Sequence, residues 1–473
     1  MSHFRGLPGI FGSRKEKDSL GNILFLLNSV LLGIWAVKHT IALRNNLLVV
    51  GALVSIFIIK REFISCRLKG VLNLRSLMPI ILLMMMFFWV LWHFIYMPQY
   101  PEIQAKELTS TWLRALLATL NGIAIGMLVR KNIRMLNWLW LGIFASFIAL
   151  YFQYIQKILN AGSLFQYDPY GYIFHLKING ILVGSMLIAG LGGLTLDLIR
   201  IAPSEKNRLQ LSFCVLSVCL TLYAYVYIFD SRNGIGIAAA LFIFWGCIFL
   251  FKAVINLSLG ISISGVLMPV TGALLLALIF CFFLAQQSSY NTGWSTFFED
   301  FSIGLQSDKY INWRDFNALG MPVAPSGRQV SSSTYERIAL MVEGLKVISS
   351  YPFGCGVLTQ PFMKMLPQVY PGVFFSGQHA THSAWIDFGI AFGVPGLLFL
   401  IGSLIASAIN TIKQGARSIA PITILSLVLN IMILYLVGEV STQHGVEILF
   451  YFLSLIFALQ IPRLATNKLD EIG

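Results

Sequence analysis

Charge is what this sequence has least of: Asp, Glu, Lys and Arg together make up 11% of its 473 residues, against 57% hydrophobic ones. So few charges cannot clothe a soluble globule of this size. Cysteine is scarce as well, and its six copies are badly placed for cross-linking. Cys214, Cys219, Cys247 and Cys281 fall in apolar stretches, Cys66 in a basic loop, and only Cys355 in a long polar one. That distribution excludes a disulfide framework even in an oxidising compartment. Ionisable groups are nearly absent from the middles of the apolar stretches, with Asp197 and Arg114 near their ends. An ion-coupled transporter needs such groups or broken helices at midplane, so their scarcity counts against transport. The net charge of +13 invites a nucleic-acid reading, but the basic residues form no continuous stripe. The polar N-terminus, 1–20, has no small-residue cleavage site, and no removable signal peptide is expected.

What the sequence has in abundance is long apolar runs. Twelve centre on Asn22–Ala42, Asn46–Ile59, Leu77–Met97, Thr111–Val129, Met135–Ile155, Ile178–Ile199, Leu209–Phe229, Gly234–Phe251, Ser262–Ala285, Phe388–Ile409, Ala420–Leu436 and Val446–Ile461. Backbone groups in lipid must pair within their own segment, so each run is expected to be a helix. The fold class is an all-α polytopic membrane protein of about twelve transmembrane helices, interrupted by one long loop with short amphipathic helices. The chain divides into 1–285 with nine spans, a polar insert over 286–387, and 388–473 with three more.

Placing the N-terminus in the cytoplasm puts 20 of the 33 basic residues on the inside, and six of the other 13 lie in the long loop. By the positive-inside bias both termini are expected to be cytoplasmic and the insert extracytoplasmic. Two short segments share that outer side. Gln156–Lys177 carries the aromatic run from Tyr167 to Tyr172 and ends in His175 and Lys177; Asp230-Ser231-Arg232-Asn233-Gly234 joins spans seven and eight.

Three stretches could carry chemistry. In 331–356, Ser333 and Glu336 have capping-box spacing. Ile338, Met341, Val342, Leu345 and Ile348 follow as one apolar face, which predicts an amphipathic helix with Arg337 in its first turn. Arg337 could pair with a neighbouring carboxylate or bind an anion at that helix end. In 378–396, His379 and His382 are three residues apart, and no further ligands at metal-site spacing accompany them. His382 is either a general base or a residue anchoring a helix at the interface. Arg232 reads as a snorkelling side chain or as a guanidinium fork for a diphosphate, with Lys177 as a second cation.

The order SRNG, then YERIALMVEG and YPFGCG, then HSAWIDFGIAFGVPG leading into an apolar helix resembles the O-antigen ligase and polymerase superfamily of bacterial envelopes. His382, ten residues and Gly393 match the ligases' pattern; four residues after Arg232 stands Gly236, where that pattern has Leu. The resemblance covers about residues 179–409. It implies a GT-C-like membrane fold in the bacterial inner membrane and a metal-independent, inverting glycosyltransferase that needs no cofactor. The donor would be a glycan on undecaprenyl diphosphate, and the acceptor a lipid A–core hydroxyl in lipopolysaccharide biosynthesis. A polymerase, a protein (pilin) O-oligosaccharyltransferase and, from another class, a lipid-linked glycan transporter are the alternatives. Carried over by position, Arg232 and Arg337 would hold the diphosphate and His382 would activate the acceptor; Lys177 is a further candidate for the diphosphate, and His379, Tyr335 and Gly393 are candidate supporting residues.

Overall fold

The structure, a computed structural model, describes residues 19–68, 74–161, 172–201, 205–260, 263–376, 380–415, 418–439 and 443–461. Ten helices come first: α1 (Ser19–Ile34), α2 (Ile41–Leu68), α3 (Leu74–Tyr96), α4 (Pro101–Glu107), α5 (Leu113–Val129), α6 (Asn137–Ala161), α7 (Lys177–Ile201), α8 (Glu205–Tyr223), α9 (Arg232–Ser258) and α10 (Ile263–Tyr290). The polar insert holds α11 (Phe297–Gly304), α12 (Phe316–Leu319), α13 (Ser332–Ser350) and α14 (Pro361–Val369), and α15 (Ala384–Gln414), α16 (Pro421–Val437) and α17 (Gln443–Gln460) follow. Among the described residues, eight helices are long and apolar enough to cross a membrane, and three shorter apolar ones accompany them. The protein is an all-helical polytopic membrane protein.

Each expected apolar segment is a helix, though some ends differ. The first stops at Ile34 instead of Ala42, because residues 35–40 turn and Val37 bridges to Phe174. The second, expected to be short, runs 28 residues and takes in Cys66. Charge does enter the bundle, contrary to expectation. Glu447 of α17 is fully buried, with Arg114 at 2.7 Å and the indole Nε1 of Trp35 donating to it at 2.8 Å. Arg44, 2% exposed, lies 3.9 Å from the same carboxylate and donates to the Trp35 carbonyl. This ionic knot ties α2, α5 and α17 together where no water can substitute for the partners. Asp197 is buried too, accepting from the backbone N–H of Ile422 and Thr423 and so capping α16.

The insert has its own apolar core. Trp313, Tyr335, Ala339, Leu340, Val347, Phe362 and Leu366 pack together and continue into Ile386 and Ile390 of α15. The buried face of α13 is therefore set by Tyr335, Ala339, Leu340 and Val347; of the expected stripe only Ile348 is buried, and Leu345 is exposed. Two stripes compete in this helix. The one that wins contains Glu343, buried because Lys346 and the Tyr370 hydroxyl satisfy it.

Three attachments fix the insert to the bundle. Glu107 at the end of α4 accepts from the N–H of Leu358 and Thr359 and from the Thr359 hydroxyl. The segment Pro352–Gly356 docks in a break of α15 at Gly393, described below, and α13 meets Arg232 at the start of α9.

Candidate active site

Arg232 is the first residue of α9, whose N-terminus is capped by the Ser231 hydroxyl accepting from Gly234 N–H at 3.0 Å. The preceding Asp230 has φ +41°, and its carboxylate is taken up by the amides of Gln287 and Asn291. This locks the 230–232 turn to the end of α10. The Arg232 guanidinium then reaches the insert: one amino group donates to the Gly293 carbonyl at 2.6 Å, the other to the hydroxyls of Ser333 and Thr334. Ser333 is thus an acceptor for Arg232. The expected Ser333–Glu336 capping box is not formed, since α13 starts two residues earlier than a Ser333 cap requires, at Ser332 with Ser331 as its N-cap. Arg337 accordingly sits in the second turn of α13, not the first.

Arg232, Arg337 and Lys177, the first residue of α7, line one cavity of about 580 Å³. Arg328 lines it as well, but Asp300 at 2.6 Å and Glu299 at 3.0 Å neutralise that guanidinium. Arg337 is largely buried. Burial first, and then the like charge of Arg232, push its pKa below the usual value, against the pull of Glu439 and Glu336. Two guanidiniums this close repel each other, and an anion between them relieves that repulsion.

His382 lies just before α15, with φ +58°. The turn that holds it is built from its neighbours: the Thr381 hydroxyl donates to Asp387 at 2.8 Å, and Ser383 N–H donates to the Thr381 hydroxyl. The ring Nδ1 contacts the carboxylate of Glu439. Ala384 N–H donates to the Gly438 carbonyl at 2.7 Å, stitching the two segments, and Asn233 beside Arg232 donates to the Val437 carbonyl. The charges form a sequence in space: Arg232 acts on Arg337, Arg337 on Glu439 and Glu336, and both carboxylates on or against His382. Burial raises the Glu336 carboxyl above the ordinary range, partly offset by His382 and Arg337.

The other expected site residues fall differently. His379 lies outside the described residues. Tyr335 is fully buried, its hydroxyl accepting from Trp313 N–H and donating to the Tyr310 carbonyl, so it holds the core of the insert and does not line the cavity. Gly393 is the break in α15: its φ of +68° interrupts the helix, and a Cβ there would come within 2.1 Å of the Pro352 carbonyl oxygen. Cys355 and Gly356 N–H donate to the carbonyls of Ile390 and Ala391, and Val394 N–H to Pro352, so the glycine lets the insert close onto the helix that follows His382. Sequence reasoning missed Glu439. Its one signal is a carboxylate beside Gly438 at the end of an apolar run.

No curated protein matches the chain. Residues 215–401 match the family model described as O-antigen ligase, a match that supports a membrane glycan-transferring function. Arg232, Arg337, His382 and Gly393 lie inside the matched stretch; Lys177 and Glu439 lie outside it. Over residues 215–401 the chain is similar to the O-antigen ligase family.

Proposed function

We propose that this protein transfers a glycan from undecaprenyl diphosphate to an acceptor hydroxyl, that of lipid A–core, at the extracytoplasmic face of the bacterial inner membrane. The observation that carries the reading is the shared cavity of Arg232, Arg337 and Lys177 at the N-terminus of α9, one interaction away from the His382–Glu439 pair. A diphosphate suits that cavity, because a helix N-terminus and two guanidiniums attract the same dianion.

In the reaction the acceptor oxygen attacks the anomeric carbon as the bond from that carbon to the diphosphate breaks. The electron pair leaves on the diphosphate, where Arg232 and Arg337 neutralise the growing charge. The hydroxyl proton passes to Nε2 of His382. Glu439 on Nδ1 fixes the tautomer with a free pair on Nε2 and stabilises the imidazolium that forms. Attack opposite the leaving group inverts the anomeric centre. Since guanidiniums carry the charge neutralisation, transfer is expected to survive a chelator.

The test is transfer in vitro with purified protein, one defined lipid-linked donor and lipid A–core acceptor. His382→Ala should lose at least ~10²-fold in rate, the lower end of general-base catalysis. Full activity of a normally folded His382→Ala protein ends the assignment. Transfer only to a second glycan, or to a serine hydroxyl of a protein, replaces the acceptor and leaves the site intact.

A further inference from the structure

A second cavity, of about 370 Å³, lies among α7, α8, α9 and α10 and takes no part in the site above. Its wall is apolar, with Phe242, Trp245 and Phe249 of α9 facing Met268, Pro269 and Leu275 of α10. The polar groups in that wall are already used. The Trp245 indole donates to the Ser426 hydroxyl at 2.8 Å, and the Asn256 amide donates to the Gly265 carbonyl at 2.7 Å. The latter bond ties the end of α9 to the start of α10. Met268 and Leu275 are 69% and 53% exposed, so the cavity wall reaches the outer surface of a helix that is among the barest in the bundle.

Among the described residues one cation lines this cavity, Lys252, and its side chain is exposed. Lys252 is twenty residues along α9 from Arg232. At 1.5 Å per residue that is about 30 Å, the thickness of a bilayer's hydrocarbon core. The cation therefore stands at the opposite membrane interface from the Arg232 cavity. From Phe242 to Lys252 the apolar wall runs about 15 Å, the depth of one leaflet. An apolar slot one leaflet deep, open to the lipid side and ending in an ammonium, has the shape and charge of a phospholipid site.

We propose that this cavity binds an anionic phospholipid of the leaflet remote from Arg232, with an acyl chain between α9 and α10 and the phosphate beside Lys252. The donor's prenyl tail is the poorer occupant. Its diphosphate belongs at Arg232, across the membrane, and it would leave Lys252 without an anion. The preference over the donor rests on the diphosphate site proposed at Arg232; the apolar slot and Lys252 stand apart from it.

The test uses delipidated full-length protein in detergent and native mass spectrometry, titrating dioleoyl phosphatidylglycerol and dioleoyl phosphatidylcholine separately. The expected result is one retained phosphatidylglycerol, bound at least ~10-fold more tightly than phosphatidylcholine. Lys252→Gln should abolish that preference, and Gly272→Phe, which fills the cavity beside Phe249, should weaken both lipids. If Gly272→Phe does not fold, Lys252→Gln decides alone. Equal affinity for the two lipids, or an unchanged preference in Lys252→Gln, overturns the proposal. One-for-one displacement of phosphatidylglycerol by undecaprenyl diphosphate overturns it as well, by making the cavity the donor's groove.

Discussion

Replacing Glu439 with Gln keeps the shape of the side chain against His382 and removes only its charge. On the proposed mechanism His382 becomes an imidazolium during transfer, and the carboxylate at its Nδ1 is the charge that would stabilise it. At about 4 Å and an effective dielectric near 20, a full unit charge contributes roughly 4 kcal/mol. The two side chains are 28% and 31% exposed, so water screens part of that. Halving it leaves about 2 kcal/mol, or roughly a 30-fold fall in kcat. Donor binding should move the other way, because Glu439 also pulls on Arg337. Without that carboxylate the cavity becomes more positive, and the KM for the lipid-linked donor should hold or fall. The assay is steady-state transfer with the donor varied at saturating acceptor, alongside a melting curve to show that Glu439→Gln is folded. A kcat within threefold of the parent, or a loss expressed as raised donor KM, refutes the assigned role.

Arg337→Lys keeps the charge but loses the fork that can meet two phosphate oxygens, so donor KM should rise roughly tenfold or more; unchanged donor affinity contradicts the assignment. Burial raises the Glu336 carboxyl in the folded protein, so its ionisation costs stability as pH climbs from about 4.3 through the raised value. Glu336→Gln should therefore melt higher than the parent at pH 7 and equal to it near pH 4; a gain that grows on acidification has the wrong sign. Glu447→Gln strips the buried Arg44 of its carboxylate and should cost about 3–5 kcal/mol, read as a lowered melting temperature in detergent. Gly393→Ala forces a Cβ against the Pro352 carbonyl and a left-handed backbone worth about 1–2 kcal/mol. It should expose 352–356 to proteolysis, and parental resistance counts against the docking described above.

The bundle was legible because lipid imposes one rule on every crossing segment, and runs such as Leu209–Phe229 obey it without help from neighbours. Where a neighbour decides, the sequence misleads. The chain leaves α1 at Ile34 because Val37 finds Phe174, far away in sequence. In α13 the sequence offers two apolar stripes, and packing against α11, α14 and α15 selects the one holding Tyr335 and Val347. Arg232 and Lys177 stand out in the sequence as cations beside apolar spans on one side, whereas Arg337, inside the polar insert, is marked by its amphipathic stretch and by the family resemblance. Glu439 does not stand out. It is a single carboxylate in a short linker, and its meaning comes wholly from the stitch between Ala384 and Gly438 that sets it beside His382. Glu447 was invisible for a related reason, since its partners Arg44 and Arg114 come from two other helices.

The way each arginine is held bears on which of them can serve a ligand. Arg328 is gripped by Asp300 and Glu299, and a phosphate approaching it would have to displace carboxylates already in contact. Arg232 is gripped as firmly, but by neutral oxygens: the Gly293 carbonyl and the hydroxyls of Ser333 and Thr334. Neutral acceptors fix the guanidinium plane without cancelling its charge. The carboxylate nearest in sequence, Asp230, makes its hydrogen bonds to the amides of Gln287 and Asn291, and its charge and that of Asp300 act on Arg232 from a distance without contacting the guanidinium. These bonds also join α9, α10 and α13 at one point, so the positive field in the cavity and the attachment of the insert are the same set of contacts. Positioning and electrostatics therefore cannot be separated at Arg232: any change that frees the insert from the bundle also scatters the positive charge proposed to meet the diphosphate.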